Sequence, residues 1–168
     1  AGLQLPVAEG SVLPIFDGVY ADIGDQQSIE HSLSTFSSHI STVQNILGVA
    51  TERSLVLLDE MGSSTDPEEG AALAKAIILH FLRQNVLLVA TTHQREVASF
   101  VQETPGLMNA SVELDPVTFA PTYRLTLGLP GRSYALSIAA RLGLAKAIVD
   151  EAWDLKGPGQ LELEGLLT

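Results

Sequence analysis

Ser54–Leu58 (SLVLL) and Val86–Ala90 (VLLVA) are unbroken apolar runs of strand length, and the chain between them carries a start signal for a helix. A run without polar alternation suits a strand covered on both faces. In Asp66-Pro67-Glu68-Glu69, Asp66 takes the N-cap place and Pro67 the first helical position, while Glu69 falls where a capping box puts its acid. The helix AALAKAIILHFLRQ follows. Two strands joined by a helix of that length run parallel, because antiparallel neighbours need only a tight turn. The chain is thereby directed to an α/β fold with a mainly parallel sheet flanked by helices.

The remaining segments extend this pattern. Residues 1–14 read as a loop, and Ile15–Tyr20 (IFDGVY) as a short strand running into the polar loop ADIGDQQS. Phe36, Ile40, Val43 and Leu47 form one stripe of an amphipathic helix that Gly48 closes. Further on, Met108–Leu114 and Pro121–Gly128 read as a β-hairpin, since Tyr123, Leu125 and Leu127 alternate with Arg124 and Thr126. Two short helices are expected at Ser133–Leu142 and Ala145–Leu155, with Gly143 between them. GPGQ then breaks the chain, so residues 1–156 read as the domain and 157–168 as a tail or linker.

Charge limits what such a domain can grip. The chain has a formal net charge of −11, and its lysines are Lys75, Lys146 and Lys156 alone. Binding a phosphate backbone needs clustered lysine and arginine, so contact with nucleic acid is expected through regions outside this chain. The absence of cysteine removes disulfides, thiolate metal sites and cysteine nucleophiles, and fits a cytoplasmic protein. No apolar run approaches the roughly 20 residues that span a bilayer, and no membrane contact is expected.

Ligands of open parallel sheets sit beyond the carboxyl ends of the strands. Three polar stretches lie there: Asp22–Gln27, Asp59–Thr65 and Thr92–Gln94. Adjacent acids after a buried strand suit nucleotide hydrolysis, in which Asp59 holds a water of Mg²⁺ and Glu60 polarises the water that attacks a γ-phosphate. A bare Asp-Glu pair can equally just end a strand; the GSSTDPEEG turn and the histidine-bearing strand after it favour the chemical role. His93 is either a sensor of the γ-phosphate or an imidazole bonded to a loop carbonyl. His31, His39 and His80 have no such context. Ser34 and Thr35 open the first helix, where free N–H groups bind anions, although on spacing alone an ordinary N-cap explains them. No His/Asp/Glu cluster has transition-metal spacing, and Ser34, Ser37 and Ser38 lack evident His–Asp partners.

The ordered set ADIGDQQSIEHSLSTFSSHI, LVLLDEMGSSTDPEEGAALA, TTHQRE and GLPGRSYALSIAARLGL resembles the ATPase domain of the bacterial MutS paralogues. It is closer to their second, recombination-suppressing branch than to the mismatch-repair type. The resemblance covers roughly residues 3–155 and implies a P-loop NTPase fold of ABC type with ATP and Mg²⁺ as cofactors. By that likeness Asp59 and Glu60 are the Walker B pair, with Glu60 and His93 catalytic. Gly62–Asp66 is the D-loop, which makes Asp66 a nucleotide contact. Ser34 and Thr35 belong to the signature helix that reaches a partner subunit's γ-phosphate. Asp22 and Gln26 lie, more loosely, at the Q-loop.

One element of that family is missing: no Gly-Lys pair occurs in the chain, so the GxxxxGK[ST] phosphate cradle is absent. The resemblance therefore implies a truncated piece of a longer protein, which dimerises through its ATPase domains and meets DNA, or a ribosome, elsewhere. It also implies a separate C-terminal nuclease-like domain in that protein. The piece alone is expected to bind ATP weakly or not at all. The alternative is a non-catalytic ABC-like dimerisation module, to which an intact Glu60 runs counter. An SMC-like repair ATPase calls for long coiled coils and an LSGG-type signature, which this sequence does not show.

Overall fold

The computed structural model describes residues 6–23, 32–63, 65–116, 118–131 and 133–156. They fall into two compact units, residues 1–100 and 101–168, each with its own sheet.

The first unit is built on three parallel strands in the order β1 (Gly18–Asp22), β2 (Ser54–Leu58), β3 (Leu87–Ala90). Their register sets Asp22 beside Leu58 and Leu58 beside Ala90, so the three carboxyl ends finish level. Helices α1 (Ser32–Val49) and α2 (Pro67–Arg83) connect them. The start of α2 is as its sequence reads: Asp66 Oδ1 accepts the N–H groups of Glu68 at 3.0 Å and Glu69 at 3.1 Å, with Pro67 at the first position. Ala71, Ala74, Ile78 and Phe81 recur along one stripe of α2 and are buried. With Val43 and Ile46 of α1 and Val56 and Leu58 of β2 they form the core. Phe81 is wholly buried, which stabilises the fold by roughly 1.5–3 kcal/mol.

Residues of α1 and of α2 line one common cleft, so both helices lie on the same side of the sheet. This corrects the expectation that the apolar runs make strands covered on both faces. In β2, Val56 and Leu58 are buried but Leu55 and Leu57 only half so, and in β3 Leu87 and Val89 are exposed. Val19 of β1, level with Leu55 and Leu87, is exposed as well. Other boundaries shift slightly. The first strand runs Gly18–Asp22 rather than Ile15–Tyr20, and α1 passes through Gly48 to Val49. A helix not expected from the sequence, α3 (Arg95–Glu103), follows Gln94 with Val97 buried.

In the second unit β4 (Ala110–Leu114) pairs antiparallel with β5 (Pro121–Leu127), as expected of the hairpin. Val112 stands opposite Leu125 and Ala110 opposite Leu127. Helices α4 (Ala135–Arg141) and α5 (Lys146–Lys156) follow, separated by Gly143. Its φ of +90° is the left-handed conformation that ends helices. Among the described residues no helix is long and apolar enough to cross a membrane.

Candidate active site

Hydrogen bonding of the sheet continues past the strand ends. Asp59 N–H donates to the Asp22 carbonyl at 2.9 Å, Thr91 N–H to the Leu58 carbonyl at 2.9 Å, and Met61 N–H to the Thr91 carbonyl at 2.8 Å. The acid pair is thus held on both sides by its neighbouring strands. Between the last two bonds the chain turns through Glu60, whose φ of +49° is left-handed. A side chain there costs on the order of 1–2 kcal/mol. A bond from Glu60 N–H to Thr91 Oγ1 at 3.0 Å helps offset it. The same threonine hydroxyl donates to Asp59 Oδ1, and Met61 is buried just beyond.

Asp22, Asp59 and Glu60 line a single cleft together with Phe36, His39 and Ser63. The Asp22 carboxylate is engaged: its Oδ2 lies 2.8 Å from His39 Nδ1, and the two side chains are 17% and 28% exposed. This pair ties α1 to β1. A ligand at Asp22 has to displace the imidazole or share the carboxylate with it.

The loop after the acids is packed tightly on α2. Gly62 has a φ of +81°, and a Cβ on Gly70 would lie 2.2 Å from the Gly62 carbonyl oxygen. Gln94 Nε2 donates to that same oxygen at 2.8 Å, and Thr92 Oγ1 donates to the Met61 carbonyl at 2.9 Å. Gln94 Oε1 is buried and has no hydrogen-bond partner among the described residues. The segment Thr91–Gln94 therefore runs beside Asp59–Gly62 and is stitched to it by three side chains.

The structure brings together Asp22, Asp59 and Glu60 of the residues singled out from sequence. His93 is exposed past the end of β3 and is not part of the cleft lining. Asp66 spends its carboxylate on the first amides of α2. Ser34 and Thr35 fall in the first turn of α1, while Gln26 lies outside the described residues. Gln94 ends the stretch Thr92–Gln94 marked in sequence, and Thr91 stands one residue before it in TTHQ. His39, which has no context in the sequence, is brought to the site by its bond to Asp22.

Carboxylates from two strand ends make a hard oxygen site of the kind Mg²⁺ prefers. No three metal-ligating side chains converge among the described residues. Mg²⁺ keeps most of its shell as water and phosphate oxygen around one or two carboxylates. Neither lysine nor arginine is among the described residues of the lining, so a phosphate chain in this cleft needs its anchor from another segment.

A family model described as MutS domain V matches residues 1–157. The chain is 53% identical over its whole length to "Endonuclease MutS2" of Thermomicrobium roseum, covering 21% of that protein. To the protein of the same name in Halothermothrix orenii it is 50% identical, again over all of the chain and 21% of the relative. For Staphylococcus carnosus the figures are 48%, the whole chain and 22%. The chain thus spans about a fifth of the length of the curated relatives it matches.

Proposed function

The chain belongs to the MutS domain V family, and from that premise we propose that it is the acid-bearing part of an ABC-type P-loop ATPase domain. The observation that carries the reading is the Asp59–Glu60 pair, held at the carboxyl end of β2 between Asp22 and Thr91. The nucleotide is ATP, and its phosphate cradle is supplied by a segment outside these residues.

Magnesium, when bound, neutralises phosphate charge during the transfer. Asp59 is the residue that would hold it, through a water. The Glu60 carboxylate orients a water and accepts its proton as the water oxygen bonds to the γ-phosphorus and the bond to the ADP oxygen breaks. His93, exposed at the end of β3, senses the γ-phosphate. Ser34 and Thr35, at the start of α1, face the nucleotide of a second copy, and Asp66, Asp22 and Gln26 border it. Two such domains close on each other in a homodimer. The protein is cytoplasmic and acts in DNA repair or in suppressing recombination. DNA, or a stalled ribosome, is met by regions beyond this chain, and so is the endonuclease activity in the relatives' name.

The test is Glu60→Gln in a protein of the relatives' full length with residues 1–168 grafted in place of the matching stretch. Turnover of ATP is expected to fall by roughly 10²–10⁴-fold, the usual worth of a positioned general base, while nucleotide binding persists. Unchanged turnover would refute the reading in favour of a non-catalytic dimerisation module. The 168-residue chain alone is expected to give no micromolar ATP binding by calorimetry.

A further inference from the structure

We infer that Thr91 is a positioning residue that aims Glu60 and fixes which oxygen of Asp59 remains open to ligand. The chemical role rests on the ATPase reading; the joint itself stands on geometry alone.

A threonine hydroxyl has one hydrogen to donate and two lone pairs to accept with. The Glu60 amide can only donate, so Thr91 Oγ1 accepts from it, at 3.0 Å. Its own hydrogen is then free for Asp59 Oδ1, which accepts it. One oxygen atom thus contacts both members of the acid pair, in opposite senses. Asp59 keeps Oδ2 for a ligand. The Glu60 backbone, in its left-handed turn, gains the hydrogen bond that helps hold it there, and with it the direction of the Cα–Cβ bond that carries the carboxylate.

Packing does not account for this hydroxyl. Thr91 is exposed, so it adds little to the core. Its backbone is already secured by the Leu58 carbonyl and the Met61 amide. Neighbouring Thr92 spends its own hydroxyl on the Met61 carbonyl and the Gln94 amide, so it cannot stand in.

Two measurements test the joint. In the 168-residue chain, Thr91→Val and Thr91→Ala remove the hydroxyl, whereas Thr91→Ser keeps it. Exchange of the Glu60 amide hydrogen, followed by NMR, is expected to quicken roughly tenfold in the first two variants, the equilibrium value of one neutral hydrogen bond. The Met61 amide, which is bonded to the Thr91 backbone carbonyl, serves as the unmoved reference, and Thr91→Ser should match the wild type. Equal protection of Glu60 in all four proteins overturns the joint.

In the full-length graft, Thr91→Val is expected to lower kcat roughly a hundredfold, the cost of a misplaced reacting group. KM for ATP should stay within a factor of about three, less than one hydrogen bond's worth, and Thr91→Ser should restore kcat. Wild-type kcat in Thr91→Val overturns the positioning role. Should Glu60→Gln leave turnover intact, the ATPase reading falls while amide exchange still decides the joint.

Discussion

Gly70→Ala sets two effects of opposite sign against each other. Gly70 is the fourth residue of α2 and is buried. Alanine is the better helix former, and on propensity alone the change should stabilise by about 1 kcal/mol. The new Cβ, however, would lie 2.2 Å from the Gly62 carbonyl oxygen and 3.0 Å from Thr65 Cγ2. Carbon and oxygen come no closer than about 3.3 Å even in favourable contacts, so the loop must retreat by about 1 Å. It is not free to do so. Gly62 oxygen holds Gln94 Nε2 at 2.8 Å, and Met61 just before it is tied to Thr91 and Thr92. Overpacking costs roughly 1–3 kcal/mol, and a stranded Gln94 amide roughly another 1–3 kcal/mol. Strain therefore outweighs propensity, with a net loss of about 3 kcal/mol on these same terms.

Urea unfolding followed by far-ultraviolet circular dichroism measures that loss. With a slope of roughly 1–3 kcal/mol per molar urea, the midpoint should drop by about 1–3 M. The partner experiment is Gly48→Ala in α1, where an added Cβ meets nothing within 4 Å. It carries the propensity gain without the clash and should raise the midpoint. A Gly70→Ala protein as stable as the wild type, or shifted in the same direction as Gly48→Ala, would refute the close approach of loop and helix.

Asp17 accepts hydrogen bonds from Thr51 Oγ1 at 2.6 Å and Ser54 Oγ at 3.0 Å. The Thr51 hydroxyl foremost, then Ser54 and the charge of Arg53, hold its carboxyl below the ordinary 3.8, against an opposing effect of burial. A folded-state pKa below the unfolded one favours folding above pH 3.8, and that contribution fades as pH falls from there through the folded value. Asp17→Asn should flatten this part of the acid limb; coincident pH–stability profiles for the two proteins would contradict it. Asp66→Ala removes the acceptor for the Glu68 and Glu69 amides and should cost about 1 kcal/mol, the usual value of a helix cap. An unfolding midpoint equal to that of the wild type would show that the cap is not needed.

The elements legible in the sequence are those whose signals are local. Asp66-Pro67 marks the start of α2 and SLVLL the whole of β2, because a cap and an apolar run act within a few residues of themselves. Gly48 misleads as a stop, since α1 continues one residue beyond it. Helix α3 is poorly marked in the sequence although Val97, Phe100 and Val101 recur at helical spacing. Only Val97 of the helix is buried, so the stripe is too short to stand out from the polar residues around it. Apolar runs also overstate coverage. Leu87 and Val89 belong to such a run and are still exposed, since both connecting helices lie against the other face.

The same division applies to the site. Asp59 and Glu60 are readable because they directly follow an apolar run, but their supports are remote in sequence: Thr91 is 31 residues from Glu60, and Gln94 is 32 from Gly62. What joins them is register. Since Leu58 stands level with Ala90, the residue after each strand falls at the same height, and Thr91 meets the acid pair. A slip of one residue in β3 would turn every side chain of that strand to the other face. Thr92 would then stand beside the acids, and the Met61 carbonyl would lose its present donor. The chemistry of the acid pair thus depends on a pairing that no window of sequence around it contains. Once the register is known, the last residue of β1 and the first beyond β3 are where the supports of Asp59 and Glu60 are to be sought, ahead of any more conspicuous histidine.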